Sequence, residues 1–135
     1  MSEVSLVSHL MTSDIETIAP DLTLKELGQL YSTRHFRHLP VLEKDKLVGI
    51  ISRTDYDQVM VGLQLAHRSE EEIDEILETT FVSKLMTVDV KTVTPNTTTE
   101  EVMKIFRDVS FHALPVIEDN QLVGIISHHD VFYYV

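Results

Sequence analysis

Apolar positions along this chain switch between a helical and a strand-like period, and the switching occurs twice in the same order. Leu24, Leu27, Leu30 and Tyr31 follow helical spacing behind Thr23, with Glu26 three residues after it in the capping-box pattern. His38 to Glu43 and Leu47 to Ser52 are short apolar runs flanking Lys44-Asp45-Lys46, which predicts two strands joined by a polar turn. The second run is apolar enough to be buried. A helix is expected from Thr54 to about Ala66. Ahead of these elements, Ser5 to Met11 predicts a helical turn or two. Thr17-Ile18-Ala19 predicts a brief strand, stopped by Pro20. In the second half, Thr98 and Glu101 repeat the capping box, and Val102, Ile105, Phe106 and Val109 repeat the stripe. Ala113 to Glu118 and Leu122 to Ser127 repeat the strands around Asp119-Asn120-Gln121, and a helix follows from Asp130 onward.

The halves superimpose at one offset. Leu39-Pro40-Val41 falls on Leu114-Pro115-Val116, an offset of 115 − 40 = 75. The same offset brings Leu10-Met11-Thr12 onto Leu85-Met86-Thr87, Leu47-Val48-Gly49-Ile50-Ile51-Ser52 onto Leu122-Val123-Gly124-Ile125-Ile126-Ser127, and Asp55 onto Asp130. No gap is needed between residues 7–56 and 82–131. Each copy reads β-α-β-β-α and is too short to bury much core alone. Two copies are too few for a solenoid. They are expected to pack with pseudo-twofold symmetry into one α/β (α+β) module with equivalent clefts. The division is repeat 1 over 1–62, a connecting helix and linker over 63–81, and repeat 2 over 82–135. In the connection, Ser69 and Glu72 form another capping box ahead of Ile73, Ile76 and Leu77. Its acids suit a solvated face near a helix start better than a partner surface.

Composition narrows the function. A formal net charge of −11 repels nucleic-acid backbones, so nucleic-acid binding is not expected, and any phosphate site must supply its own cations or N–H donors. No apolar run reaches the roughly 20 residues of a membrane helix, and the opening residues lack secretory-signal features, so no membrane insertion is expected. The absence of cysteine excludes disulfides and thiolate metal sites and fits a cytoplasmic setting.

The densest chemistry is Gly49-Ile50-Ile51-Ser52-Arg53-Thr54-Asp55, where a strand ends and a helix begins. Free N–H groups at a helix start favour an anion, and the Ser52 and Thr54 hydroxyls can donate to phosphate. Asp55 is unsuited to phosphate but can accept from two ribose hydroxyls. The plainer alternative makes Ser52 and Ser127 N-caps, with Asp55 and Asp130 as first-turn acids. Gly49 and Gly124 read as packing positions, Phe36 and Phe111 as core. His35-x-x-His38 and His128-His129-Asp130 give no metal-ligand set, because adjacent residues of an extended segment face opposite ways. No nucleophile elbow, Walker loop or zinc-protease motif is present, so no enzyme activity is expected.

The paired Met-Thr, Leu-Pro-Val and Gly-Ile-Ile-Ser-x-x-Asp strings resemble the CBS-domain family, whose repeats pair into a Bateman module. The resemblance covers nearly the whole chain. It implies a regulatory or sensor module that binds an adenine nucleotide (AMP, ADP or ATP) between its repeats, with no prosthetic group. It further implies an action on an unknown protein partner or through its own oligomer, most simply a homodimer. Ser52, Thr54 and Asp55 would carry phosphate and ribose in repeat 1, with Ser127 and Asp130 in repeat 2. Arg37 and His112, three residues before the prolines, take the position of a phosphate cation, with His38 beside Arg37 as a second candidate. Main-chain groups near Thr17-Ile18 and Thr92-Val93 would read the adenine edge. Arg53 and His128 complete the two strings as further candidate contacts. Repeat 2 departs from the pattern where His128-His129 replaces Arg53-Thr54. His129 could donate to phosphate more strongly when protonated. Two unequal sites follow, the tighter in repeat 1. The alternatives are a ligand-free dimerisation module and a binder of another adenosyl ligand such as S-adenosylmethionine. The end, Val131-Phe132-Tyr133-Tyr134-Val135, reads as a core helix end rather than an anchor.

Overall fold

The computed structural model describes residues 5–108 and 111–132. Val109 of the second apolar stripe and Tyr133-Tyr134-Val135 lie outside them. Local capping chemistry sets where the main helices begin. Thr23 Oγ1 accepts the Glu26 N–H at 3.2 Å while Glu26 Oε1 accepts the Thr23 N–H at 3.1 Å, and helix α2 (Leu24–Thr33) follows a short α1 (Val7–Leu10). Ser52 and Ser69 start α3 (Arg53–Leu65) and α4 (Glu70–Thr79) with the same reciprocal pair. At Thr98 the outgoing half is made, Thr98 Oγ1 accepting the Glu101 N–H at 3.2 Å, and α5 (Thr99–Phe106) begins there. A single 3-10 turn at Val82–Lys84 is the counterpart of α1.

Strands β1 (His38–Glu43) and β2 (Lys46–Ser52) form one antiparallel hairpin; β3 (Ala113–Glu118) and β4 (Gln121–Ser127) form the other. Both turns are two residues long, not three. Lys44 and Asp45, like Asp119 and Asn120, take φ between 51° and 65°. Two successive left-handed residues match the right-handed twist of the strands, so Lys46 and Gln121 join the ladder opposite Glu43 and Glu118. The final helix α6 (His128–Phe132) starts two residues earlier than the spacing predicts, because Ser127 occupies the cap position.

The strand expected at Thr17-Ile18-Ala19 shrinks to one residue. Ile18 bridges Val41 in parallel, its N–H donating to Pro40 O at 3.1 Å and its carbonyl accepting from Leu42 at 2.9 Å. Val93 repeats this between Pro115 and Ile117. Two bonds are all that the segment makes there before Pro20 or Pro95, which have no N–H to continue a ladder.

Two compact units emerge, and their limits cross the sequence repeats. One comprises Glu16–Asp89; the other comprises Met1–Ile15 with Val90–Val135. In the first, Leu27, Tyr31, Leu39, Val41 and Ile51 form a core that includes Val82, from the opening of the second repeat. In the second, Val102, Phe106, Leu114, Val116 and Ile126 form a core that includes Val7, from the opening of the first. Thr87 accordingly bridges Ile50, with N–H···O bonds of 2.8 and 3.0 Å, while Thr12 bridges Ile125 at 2.8 and 2.9 Å. Gly49 and Gly124 admit these segments. A Cβ on Gly49 would stand 2.5 Å from Met86 Sδ and 3.0 Å from Thr87 O; on Gly124, 2.8 Å from Met11 Sδ and 2.9 Å from Thr12 O. Phe36 and Phe111 pack against the two cores.

Candidate functional site

In the Glu16–Asp89 unit, hairpin register puts His38 directly opposite Ser52. The Arg53 N–H donates to Arg37 O at 2.8 Å, so Arg37, His38, Ser52 and the start of α3 meet at one end of the hairpin. Ile18 pairs with Val41, three residues farther along β1, about 10 Å from that end. The hairpin thus joins the basic Arg37 and the Ser52–Asp55 string at its end and carries the Thr17-Ile18 segment about 10 Å farther along the same strand.

Ser52 and Asp55 form a reciprocal cap. Ser52 Oγ accepts the Asp55 N–H at 3.1 Å, and Asp55 Oδ2 accepts the Ser52 N–H at 3.1 Å. The capping role weighed from sequence is therefore realised. A carboxylate has two oxygens and about four acceptor positions, so Asp55 keeps capacity for further donors. In the first turn, the Arg53 N–H serves Arg37 and the Asp55 N–H serves Ser52. The Thr54 N–H is the remaining donor there, on an exposed residue. Arg37 is exposed and His38 half-buried.

Arg53 is directed elsewhere. Its Nη1 donates to Tyr31 O at 3.3 Å, at the end of α2. Tyr31 is buried and its hydroxyl donates to Ile51 O at 3.4 Å. Burial first, and the Asp55 charge second, push the Tyr31 phenol well above its ordinary pKa of 10.0.

The other unit repeats the framework with different side chains. Ser127 Oγ accepts the Asp130 N–H at 3.3 Å, and Asp130 Oδ2 accepts the Ser127 N–H at 2.9 Å. The His128 N–H donates to His112 O at 3.0 Å. The His128 ring places Nε2 3.4 Å from Phe106 O and packs among Phe106, Phe132 and His112, with centroids at 4.6, 4.9 and 5.6 Å. His112 and His129 are exposed. Val93 is buried on β3 and Thr92 exposed beside it. Sequence reasoning grouped Arg53 and His128 with the ligand residues; the structure points both at helix-end carbonyls. The signal that could have found this is the shared offset of Tyr31 with Phe106 and Arg53 with His128. Among the described residues, no group of three or more metal-ligating side chains occurs, and no helix is long and apolar enough to cross a membrane.

Comparison with known proteins gives one consistent result. The CBS domain family matches residues 7–62 and 82–135. The CBS domain-containing protein YhcV of Bacillus subtilis is 25% identical over 128 residues, spanning 95% of this chain and 84% of YhcV. Inosine-5'-monophosphate dehydrogenase of Korarchaeum cryptofilum is 31% identical over 121 residues, which cover 89% of this chain but 22% of that enzyme. Among solved structures, protein MJ1225 of Methanocaldococcus jannaschii, proposed as an archaeal homolog of g-AMPK, superimposes with a TM-score of 0.81 at 27% identity, over 99% of this chain and 49% of that one. CBSX2 in complex with AMP gives 0.74 at 24%, over 96% and 95%. The CBS domain pair of MJ0100, with 5-methylthioadenosine and S-adenosyl-L-methionine, gives 0.79 at 19%, over 98% and 96%.

Proposed function

This chain belongs to the CBS-domain family, and from that premise we propose that it is a regulatory module that binds an adenine nucleotide of the AMP, ADP or ATP class. One observation carries the reading: the Ser-x-x-Asp cap is built twice, each time beside the residue that occupies the cation position. Ser52 with Asp55 stands against Arg37, and Ser127 with Asp130 against His112. Asp55 and Asp130 would accept the ribose hydroxyls with the acceptor capacity left by the caps. Arg37 and His38, with the N–H and hydroxyl of Thr54, would take the phosphate. Thr17-Ile18 and Thr92-Val93 would read the adenine edge. Two chains of this fold, CBSX2 and the MJ0100 pair, hold adenosine compounds in their crystal structures.

The repeats differ at the phosphate. Arg37 offers a permanent charge and a fork of donors, whereas His112 and His129 offer imidazoles. The repeat 1 site is the tighter. Asp55 and Asp130 are each engaged in their own cap, Asp55 with Ser52 and Asp130 with Ser127, and the chain carries no nucleophile elbow, Walker loop or zinc-protease motif, which supports sensing rather than catalysis. The module would act on a protein partner or through a homodimer. Helix α3 supports this: none of its residues is fully buried, and Val61 and Leu65 are 52% and 74% exposed. A phosphate-free adenosyl ligand is the second reading, favoured by the compounds bound to the MJ0100 pair.

Calorimetry against AMP, ADP, ATP, S-adenosylmethionine and cyclic dinucleotides tests both readings. A phosphorylated adenosine ligand should bind and lose about tenfold or more in affinity in the Asp55→Ala, Asp130→Ala double variant. Undiminished binding in that variant overturns the ribose assignment. No binding to any of the panel leaves a dimerisation module in its place.

A further inference from the structure

We propose that Arg53 is a positioning residue that fastens the connection between α2 and β1, and so holds Arg37 in place, without itself touching the ligand; its link to binding rests on the nucleotide reading above. Arg53 grips that connection at both ends. Its backbone N–H donates to Arg37 O at 2.8 Å and its guanidinium donates to Tyr31 O at 3.3 Å. The Tyr31 carbonyl belongs to the last turn of α2, where carbonyls lack helical partners and carry partial negative charge, so a donor there is favourable. Tyr31 is a firm anchor: it is 3% exposed and its hydroxyl bonds Ile51 O, two residues before Arg53.

The recurrence in the other unit carries the inference further. His128 stands at the offset of Arg53, Phe106 at that of Tyr31 and His112 at that of Arg37. The His128 N–H donates to His112 O at 3.0 Å, and its Nε2 lies 3.4 Å from Phe106 O, a donor in the tautomer that carries the proton there. A guanidinium and an imidazole thus reach the equivalent carbonyl of each unit, Tyr31 O and Phe106 O. What they share is an N–H at the right reach, not a permanent charge. A residue placed to neutralise phosphate would need the charge; a fastener needs only the donor.

The test compares Arg53→Ala with Arg53→His in the full chain at pH 8.5, where an ordinary histidine, with pKa about 6.5, is neutral. Without ligand, exchange of the two hydrogen-bonded amides that frame the connection, residue 34 (to Leu30 O) and residue 53 (to Arg37 O), should accelerate about tenfold in Arg53→Ala and stay near wild type in Arg53→His, with β1 unchanged in both. AMP affinity should fall about tenfold in Arg53→Ala and return to within about threefold of wild type in Arg53→His. Equal loss of AMP affinity in both variants, with exchange unaltered, would make Arg53 a charge contact and overturn the proposal. Unaltered exchange in Arg53→Ala overturns it irrespective of ligand. If AMP binds none of the proteins, wild type included, the nucleotide reading fails while the exchange result still decides the fastening.

Discussion

Asp55 and Ser52 cap one another: each backbone N–H donates to the other's side chain at 3.1 Å, and the pair begins α3 at the end of β2. Ser52→Ala should therefore cost about 1 kcal/mol in urea unfolding. Asp55→Asn retains an acceptor for the Ser52 N–H and should cost less than Ser52→Ala. A loss of adenosine binding in Asp55→Asn would then report on the sugar contact and not on the cap.

The glycines separate by what surrounds them. At Gly49 and Gly124 a Cβ would meet a backbone carbonyl, Thr87 O at 3.0 Å or Thr12 O at 2.9 Å, as well as a methionine sulfur. The methionine can swing away; the carbonyl is held in the bridge. Gly49→Ala and Gly124→Ala should each destabilise by about 1–3 kcal/mol. Gly62 lies in α3 with nothing within 4 Å of a Cβ, so Gly62→Ala should stabilise by about 0.5–1 kcal/mol. Urea midpoints at constant slope check all three.

Glu72 carries a pH dependence with a definite sign. Hydrogen bonds from the Ser69 backbone N–H and hydroxyl, then the Arg68 charge, hold its carboxyl below 4.5. A depressed folded value means that the stabilisation is present above the unfolded value and is lost as pH falls through the folded one. In Ser69→Ala the midpoint of the Glu72 side-chain resonance should rise toward 4.5, since one of the two Ser69 donors is gone. A midpoint that stays put would remove the hydroxyl as a cause.

Tyr31 behaves in the opposite sense. Burial, then Asp55, raises its phenol above 10.0, so the neutral form stabilises the fold below the unfolded value and this contribution disappears as pH rises through the folded value. An ultraviolet titration should show a late-ionising tyrosine that is missing in Tyr31→Phe. That variant also forfeits the bond to Ile51 O, at a cost of about 1 kcal/mol.

What was legible in the sequence is what rests on local chemistry. The boxes at Thr23 and Ser69 are each complete within four residues and start helices where the spacing places them, while Ser52, weighed only as an N-cap, starts α3 at Arg53, one residue before the expected Thr54. The hairpins follow from apolar runs of strand length. Thr17 and Ile18 are β-branched and carry a strand preference, but how many partners the segment finds depends on how long Pro40 to Leu42 stays alongside. The exchange of opening segments had no sequence signal. Met11-Thr12 and Met86-Thr87 are identical and each fits against a Gly-Ile pair, Gly124-Ile125 or Gly49-Ile50, that is also identical, so the repeat cannot tell which pairs with which. The aim of Arg53 and His128 is likewise tertiary: the string groups them with the candidate ligand residues, and only the folded end of the preceding helix supplies the carbonyl they reach.

Because Thr12 closes on Ile125 while Thr87 closes on Ile50, the two units are made ready at different times during synthesis. Residues 16–89 are continuous, and that unit can close once Thr87 has left the ribosome. Residues 5–12 have by then been waiting, with Val7 lacking its burial, and must go on waiting until β4 is made. Closing the Thr12–Ile125 bridge spans nearly the whole described chain, an entropic cost that short-range contacts do not bear. The later-closing unit is the one that carries His112, His128 and Asp130, so the repeat 2 cap forms after the repeat 1 cap is already in place.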